Sequence, residues 1–125
     1  MSKKVFISYS FADKQIAEIL AKDLTERGIS TFMDFRDLKV GEDWANNIKE
    51  QIQSASYFVV ILSENFLGSF WGMQELGAAL VSDIQIVPIV IGQPKIPFDL
   101  LKYRYLDLTK GDMKKTLEQF RETVI

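Results

Sequence analysis

The chain contains no cysteine and no histidine. The first absence removes disulfides, thiol nucleophiles and thiolate metal sites together. The second removes Ser-His-Asp chemistry and the usual zinc sites, because both need an imidazole. Any catalysis must therefore rest on carboxylates, hydroxyls, Lys, Arg, Tyr or backbone groups. Long apolar runs are missing as well. The longest, among them Tyr57 to Leu62 and Ile86 to Ile91, fall far below the roughly 18 residues that a spanning helix needs. Val5-Phe6-Ile7, behind Met1-Ser2-Lys3-Lys4, is too short for a signal-peptide core. A cytoplasmic location without a membrane partner is the expectation. Excess positive charge is absent too: the net charge is −2 and the pI about 5.2. No nucleic acid partner is expected, since such binding shows as clustered Lys and Arg with a high pI.

What remains is an ordinary globular balance over 125 residues, 47% hydrophobic and 26% charged. That length suits one domain with one core, and the sequence shows no internal repeat, low-complexity run or linker. The apolar period alternates between strand-like and helix-like. Val5-Phe6-Ile7 reads as a short buried strand ending at Ser8-Tyr9-Ser10. A helical stripe follows from Asp13, with Ile16, Leu20 and Leu24 joined by Ala17, Ile19 and Ala21, and Gly28 as a stop. Ile29 to Met33 is a second strand, followed by a charged loop, Asp34 to Glu42, that contains Gly41. Asp43 is placed to cap a helix carrying Trp44, Ala45, Ile48, Ile52 and Ala55. Tyr57 to Leu62 is a continuous apolar run, the mark of a central strand covered on both faces. After a short polar stretch, a helix is expected from about Ser69 to Val81, with Gly72, Leu76, Ala79 and Leu80 inward. Ile84 to Ile91 reads as a fourth strand, with a bulge or incomplete pairing at Pro88. One helical turn is expected through Asp99 to Leu101, a fifth strand at Tyr103 to Leu106, and a last helix presenting Met113, Leu117, Phe120 and Val124.

Strands alternating with helices on short connections predict a single doubly wound, flavodoxin-like α/β domain, with five parallel strands and helices on both faces. Ligands in such sheets bind beyond the carboxyl ends of the strands, where strand order reverses. That places a site among the loops Ser8 to Asp13 and Ser63 to Trp71, beside the Asp34–Glu42 loop. The glycines of a Rossmann fingerprint are absent there, and so is a Walker A loop. The acidic residues and Lys of a phospho-acceptor receiver domain are also missing, since the corresponding positions hold Ser8-Tyr9-Ser10, Ser63 and Asp107.

Four segments together resemble the Toll/interleukin-1 receptor (TIR) family. They are Val5 through Ser10, Asp34 through Gly41 with Trp44, the W-x-x-x-E-L segment from Trp71 to Leu76, and Ile86-Val87-Pro88-Ile89. Departures are Phe11, where many members carry a basic residue, Val40 near a common proline, and Gly72 in place of a frequent cysteine. The enzymatic branch of the family cleaves NAD between nicotinamide and ribose, and the resemblance implies Glu75 as its catalytic residue. No cofactor is expected, NAD+ being the substrate. The resemblance also implies self-association with other TIR domains and an immune effector role. A fused or associated sensor beyond Ile125 is a further expectation, with this chain as the N-terminal domain of a longer protein.

Spacing alone allows Glu75 to be a solvated helix carboxylate; its position four residues after Trp71 puts the two on one face. Trp71 reads as a ligand wall or as packing, and Phe11 as a stacking surface or a buried loop residue. Ser8, Tyr9 and Ser10 either hydrogen-bond a substrate or close the strand. Asp34, Arg36 and Asp37 either gate the pocket, bind a neighbouring subunit, or are simply solvated. A non-catalytic scaffold that binds other TIR domains is the alternative function.

Overall fold

The computed structural model describes residues 3–33, 41, 43–97, 100, 102–109 and 112–124. Strand β1 (Lys4–Ser8) leads through a 3-10 turn at Phe11–Asp13 into helix α1 (Lys14–Glu26) and strand β2 (Ser30–Met33). Helix α2 (Trp44–Ser54) precedes β3 (Tyr57–Leu62), the single-turn α3 (Glu64–Leu67) and α4 (Phe70–Leu80). Strands β4 (Gln85–Val90) and β5 (Leu106–Asp107) and helix α5 (Met113–Val124) complete the domain. The sheet has the order β2-β1-β3-β4-β5, and every pairing is parallel. The expected doubly wound architecture is therefore present.

Period-two alternation divides the strands between two cores. Val5, Ile7, Val59, Ile61, Val87 and Ile89 point to the face covered by α1 and α5. Phe6, Phe58, Val60, Leu62, Ile86 and Val90 point to the face covered by α2, α3 and α4. On this second face Phe6 lies 5.2 Å from Phe32 and 5.3 Å from Phe58, an aromatic row across three strands. The row sits in register, because Phe6 pairs with both neighbours. Each such fully buried ring contributes about 2–3 kcal/mol of apolar burial.

Local chemistry sets the element ends. Gly28 has φ 80° and closes α1 with two bonds, Gly28 N to Thr25 O and Ile29 N to Leu24 O, both at 3.0 Å. This is the double closure of a left-handed helix stop, which favours glycine. The Asp43 carboxylate accepts from Asn46 N at 3.4 Å to start α2, as its sequence position suggests. Between α1 and α5, Arg121 donates to both oxygens of Asp23 at 3.0 and 2.7 Å. Those bonds hold the Asp23 carboxyl below the usual carboxylate range, against the opposing effect of its burial.

Several sequence expectations need correction. The β3–β4 register runs unbroken through Val60 and Pro88, so the expected bulge is absent and Pro88, which has no N–H to donate, is the incompletely paired position instead; β5 pairs with β4 only at Ile89 and Val90. The fifth strand is Leu106–Asp107 rather than Tyr103 to Leu106, because Tyr103 closes a turn onto Leu100 O and packs against the α2–α4 core. Ile19 is 43% exposed rather than part of the α1 stripe. The polar stretch after β3 contains α3, whose Phe66 is fully buried. The turn expected at Asp99 to Leu101 lies mostly outside the described residues.

Candidate functional site

At the carboxyl end of β1, strand alternation sends Ser8 to the same face as Phe6, toward α4. Helical spacing on α4 turns Glu75 back toward the sheet. The Ser8 hydroxyl donates to Glu75 Oε1 at 2.8 Å. Serine and glutamate are both buried, with 0% and 3% of their surface exposed. A carboxylate in such a place loses hydration worth several kcal/mol, which only hydrogen bonds or a bound partner can offset. Glu75 is therefore no solvated helix carboxylate.

Glu75 lines a cavity of about 380 Å³ between α2 and α4, bounded also by Ile48, Ile52, Trp71, Gln74 and Ala78. Its size and mainly apolar surface, bordered by Lys49, Gln53, Gln74 and Ser82 beside Glu75, suit a small molecule. Trp71, 42% exposed, forms one wall and meets Phe70 edge-on, with centroids 5.5 Å apart. Gly72 allows this arrangement. A Cβ there would stand 2.8 Å from Phe66 Cε1, so a side chain would push α4 away from α3 and β3. A larger depression of about 1090 Å³ lies between β4, β5 and α5, but no residue expected at the site lines it.

The structure thus brings together Ser8, Glu75 and Trp71. Tyr9 goes elsewhere: alternation turns it to the opposite face, and its ring is 1% exposed within the α1–α5 core. The Ser10 side chain caps the 3-10 turn, accepting from Ala12 N at 3.3 Å. Phe11 is 63% exposed, with the Lys14 ammonium 5.5 Å from its ring centroid. It stands outside the cavity lining. Asp34, Arg36 and Asp37, and the side chain of Trp44, lie outside the described residues.

Sequence reading missed Gln74 and Ala78, although 71, 74, 75 and 78 share a helical face and the spacing could have grouped them. Ile48 and Ile52 were assigned to packing. Their second role depends on the distance between α2 and α4, which no local signal carries. Among the described residues, no three His, Cys, Asp or Glu side chains are placed to hold a metal, and no helix is long and apolar enough to cross a membrane.

A parallel sheet ordered 2-1-3-4-5, with a buried carboxylate beside its switch point, defines a doubly wound α/β domain. The sequence profile of the TIR domain matches residues 5–124, and the chain belongs to the TIR domain family. It is 34% identical over 76 residues to the NAD(+) hydrolase TcpC of Escherichia coli O6:H1, covering 60% of this chain and 25% of that protein. It is 30% identical over 89 residues to the 2′ cyclic ADP-D-ribose synthase BtTIR of Bacteroides thetaiotaomicron, covering 67% of this chain and 31% of that protein. The chain thus spans only about a quarter to a third of these relatives. Among solved structures, the TIR domain of the Toll-related receptor TRR-2 of Hydra magnipapillata superposes with a TM-score of 0.80 at 28% identity, over 94% of this chain and 95% of that one.

Proposed function

We propose that this domain cleaves NAD+ between nicotinamide and ribose, with Glu75 as the catalytic residue. The observation that carries this reading is a buried carboxylate, oriented by Ser8, on the wall of a cavity of small-molecule size. The names of the relatives from Escherichia coli and Bacteroides thetaiotaomicron support the same chemistry. In the reaction, the bond from ribose C1′ to the pyridinium nitrogen breaks and its electron pair neutralises the ring. Nicotinamide leaves as a neutral molecule, so no strong acid is needed. Positive charge develops on the ribose, and a fixed carboxylate stabilises it while accepting hydrogen bonds from the ribose hydroxyls. Water then captures C1′ and releases a proton, giving ADP-ribose; capture by an internal nucleophile of the substrate gives a cyclic isomer instead. Neither route calls for an imidazole or a thiol, which the chain lacks. Trp71 walls the substrate and Phe11 stands on the loop after β1, with Asp34 and Arg36 proposed as further substrate contacts from the family resemblance alone.

Homotypic assembly in the cytoplasm, driven by a fused or associated sensor, is the proposed trigger, and immune or antiphage defence the proposed setting. TIR domains in the solved structure of the activated Roq1 resistosome share the fold, with a TM-score of 0.80 at 22% identity. A second reading is a signalling scaffold that turns over nothing. It is favoured by the likeness to a receptor TIR domain and by the exposed rings of Phe11 and Phe70, 63% and 69% accessible.

Concentrated, clustered protein incubated with NAD+ should release nicotinamide, and Glu75→Ala should not. Loss of partner binding alone in that variant, with no cleavage by either protein, would establish the scaffold.

A further inference from the structure

Asp13 occupies the N-cap position of α1, yet its side chain makes no capping bond to the helix. An aspartate there normally accepts from the backbone N–H two or three residues on. Here its Oδ2 accepts instead from the Ser63 hydroxyl at 2.5 Å, fifty positions away in sequence. Ser63 is 5% exposed and does two jobs, since its oxygen also accepts from Phe66 N at 3.1 Å to start α3. A local preference given up for a distant contact usually marks a functional constraint.

The contact sits where it matters. β1 and β3 are neighbours, but the helices after them depart to opposite faces of the sheet. The loops at their carboxyl ends therefore diverge, and the crevice between them is the switch point of the fold. The Asp13–Ser63 hydrogen bond crosses this divergence, in addition to the Ser8–Glu75 bond deeper in the fold. On one side it holds Asp13, whose N–H is fixed on Ser10 O at 2.8 Å beside Phe11. On the other it holds Ser63, continuing through buried Phe66 to Ser69 N, which donates to Phe66 O at 2.9 Å at the start of α4. Phe66 in turn touches the space over Gly72, next to Trp71.

We propose that Asp13 is a positioning residue, which through Ser63 sets the width of the crevice between the β1 loop and the start of α4. This deepens the NAD-cleavage reading and, for its kinetic part, rests on it. Glu75 has its own anchor in Ser8, so loss of the latch loosens substrate positioning more than it disables the carboxylate. A wider crevice weakens contacts to the substrate in the ground state and the transition state alike, which raises KM and leaves kcat nearly unchanged.

The test compares Asp13→Ala, Asp13→Asn and Ser63→Ala, with the double variant Asp13→Ala/Ser63→Ala. Asp13→Ala should raise KM for NAD+ about tenfold while kcat stays within about threefold. Asp13→Asn keeps a carbonyl acceptor for the Ser63 hydroxyl and should restore most of the loss. The double variant should be little worse than the worse single one, because the pair acts as a unit. Unchanged kinetics in Asp13→Ala, failure of the Asn rescue, or additive losses would each overturn the latch. A second readout needs no turnover. The chain has 2 tryptophans, so a Trp44→Phe background isolates Trp71. Acrylamide quenching of Trp71 should increase when Asp13→Ala is added and return with Asp13→Asn. If the wild type releases no nicotinamide, the enzyme reading fails and quenching alone decides: an unchanged value rejects the latch, an increase upholds it.

Discussion

On one face of the sheet, α1 and α5 press Ala17, Leu20, Ala21, Leu24, Phe120 and Val124 onto aliphatic strand residues, and the Asp23–Arg121 bridge ties the two helices at their outer side. On the other face, α2 and α4 leave a cavity between them and bury the carboxylate of Glu75. The first arrangement, between α1, α5 and the strands they cover, follows from maximising apolar contact, and the larger depression at the β4, β5 and α5 edge has no buried carboxylate on its wall. The second gives up packing and hydration that a merely stable fold would keep. Proteins that depart from packing economy in this way usually do so at functional sites.

The contrast can be broken by substitution. Leu20→Ala, in the closed layer, should cost about 3 kcal/mol of stability by denaturant unfolding. Ile52→Ala borders an existing cavity and should cost nearer 2 kcal/mol, while altering KM in a way that Leu20→Ala does not. Equal stability losses and equal kinetics would erase the distinction between the faces.

Gly72→Ala pits two effects against each other. Alanine gains about 1 kcal/mol of helix propensity, but its Cβ would meet the buried Phe66 ring at 2.8 Å, an overpacking that costs about 1–3 kcal/mol. A net loss of about 1 kcal/mol is expected, relieved by adding Phe66→Leu; a stabilised Gly72→Ala would mean that α4 has room to move. Ser8→Ala removes the buried donor to Glu75 Oε1 and should lower NAD cleavage about tenfold, the worth of one such hydrogen bond. Its thermal midpoint should fall by several degrees as well, because the substitution leaves a buried carboxylate without that donor.

The smallest effect lies on the closed face and depends on pH. The hydrogen bonds from Arg121 depress the Asp23 pKa in the folded state. Such a group contributes stability that is fully present above its unfolded value of about 4, and that is lost as pH falls through the folded value. Asp23→Asn should therefore lower the unfolding midpoint slightly at neutral pH, with the gap to wild type closing in acid. A constant gap down to the most acid point would show that Asp23 contributes by packing rather than charge.

Much of the fold was legible because period and punctuation agree. The continuous run Tyr57 to Leu62 is the central β3, and Gly28, Asp43 and Ser69 each mark the helix end expected of them. The short edge strand was not legible, since two rungs of pairing leave no period to read. At the site, the spacing of Trp71 and Glu75 was visible, and the resemblance supplied the meaning. The Ser8 contact to Glu75 joins residues 67 positions apart, and no window of sequence contains both. Tyr9 shows the converse: it adjoins Ser8 in sequence, while strand alternation turns the two residues to opposite faces.

The most direct measurement is nicotinamide release from NAD+ by the clustered domain, with Glu75→Gln beside it and both followed by thermal unfolding. Gln preserves the shape and removes the charge. Release by the wild type, a fall of about 100-fold or more in Glu75→Gln, and an unfolding midpoint that is unchanged or raised are the predicted results. Cleavage that survives the substitution would contradict a catalytic Glu75, and no release from the clustered wild type would contradict the enzyme itself.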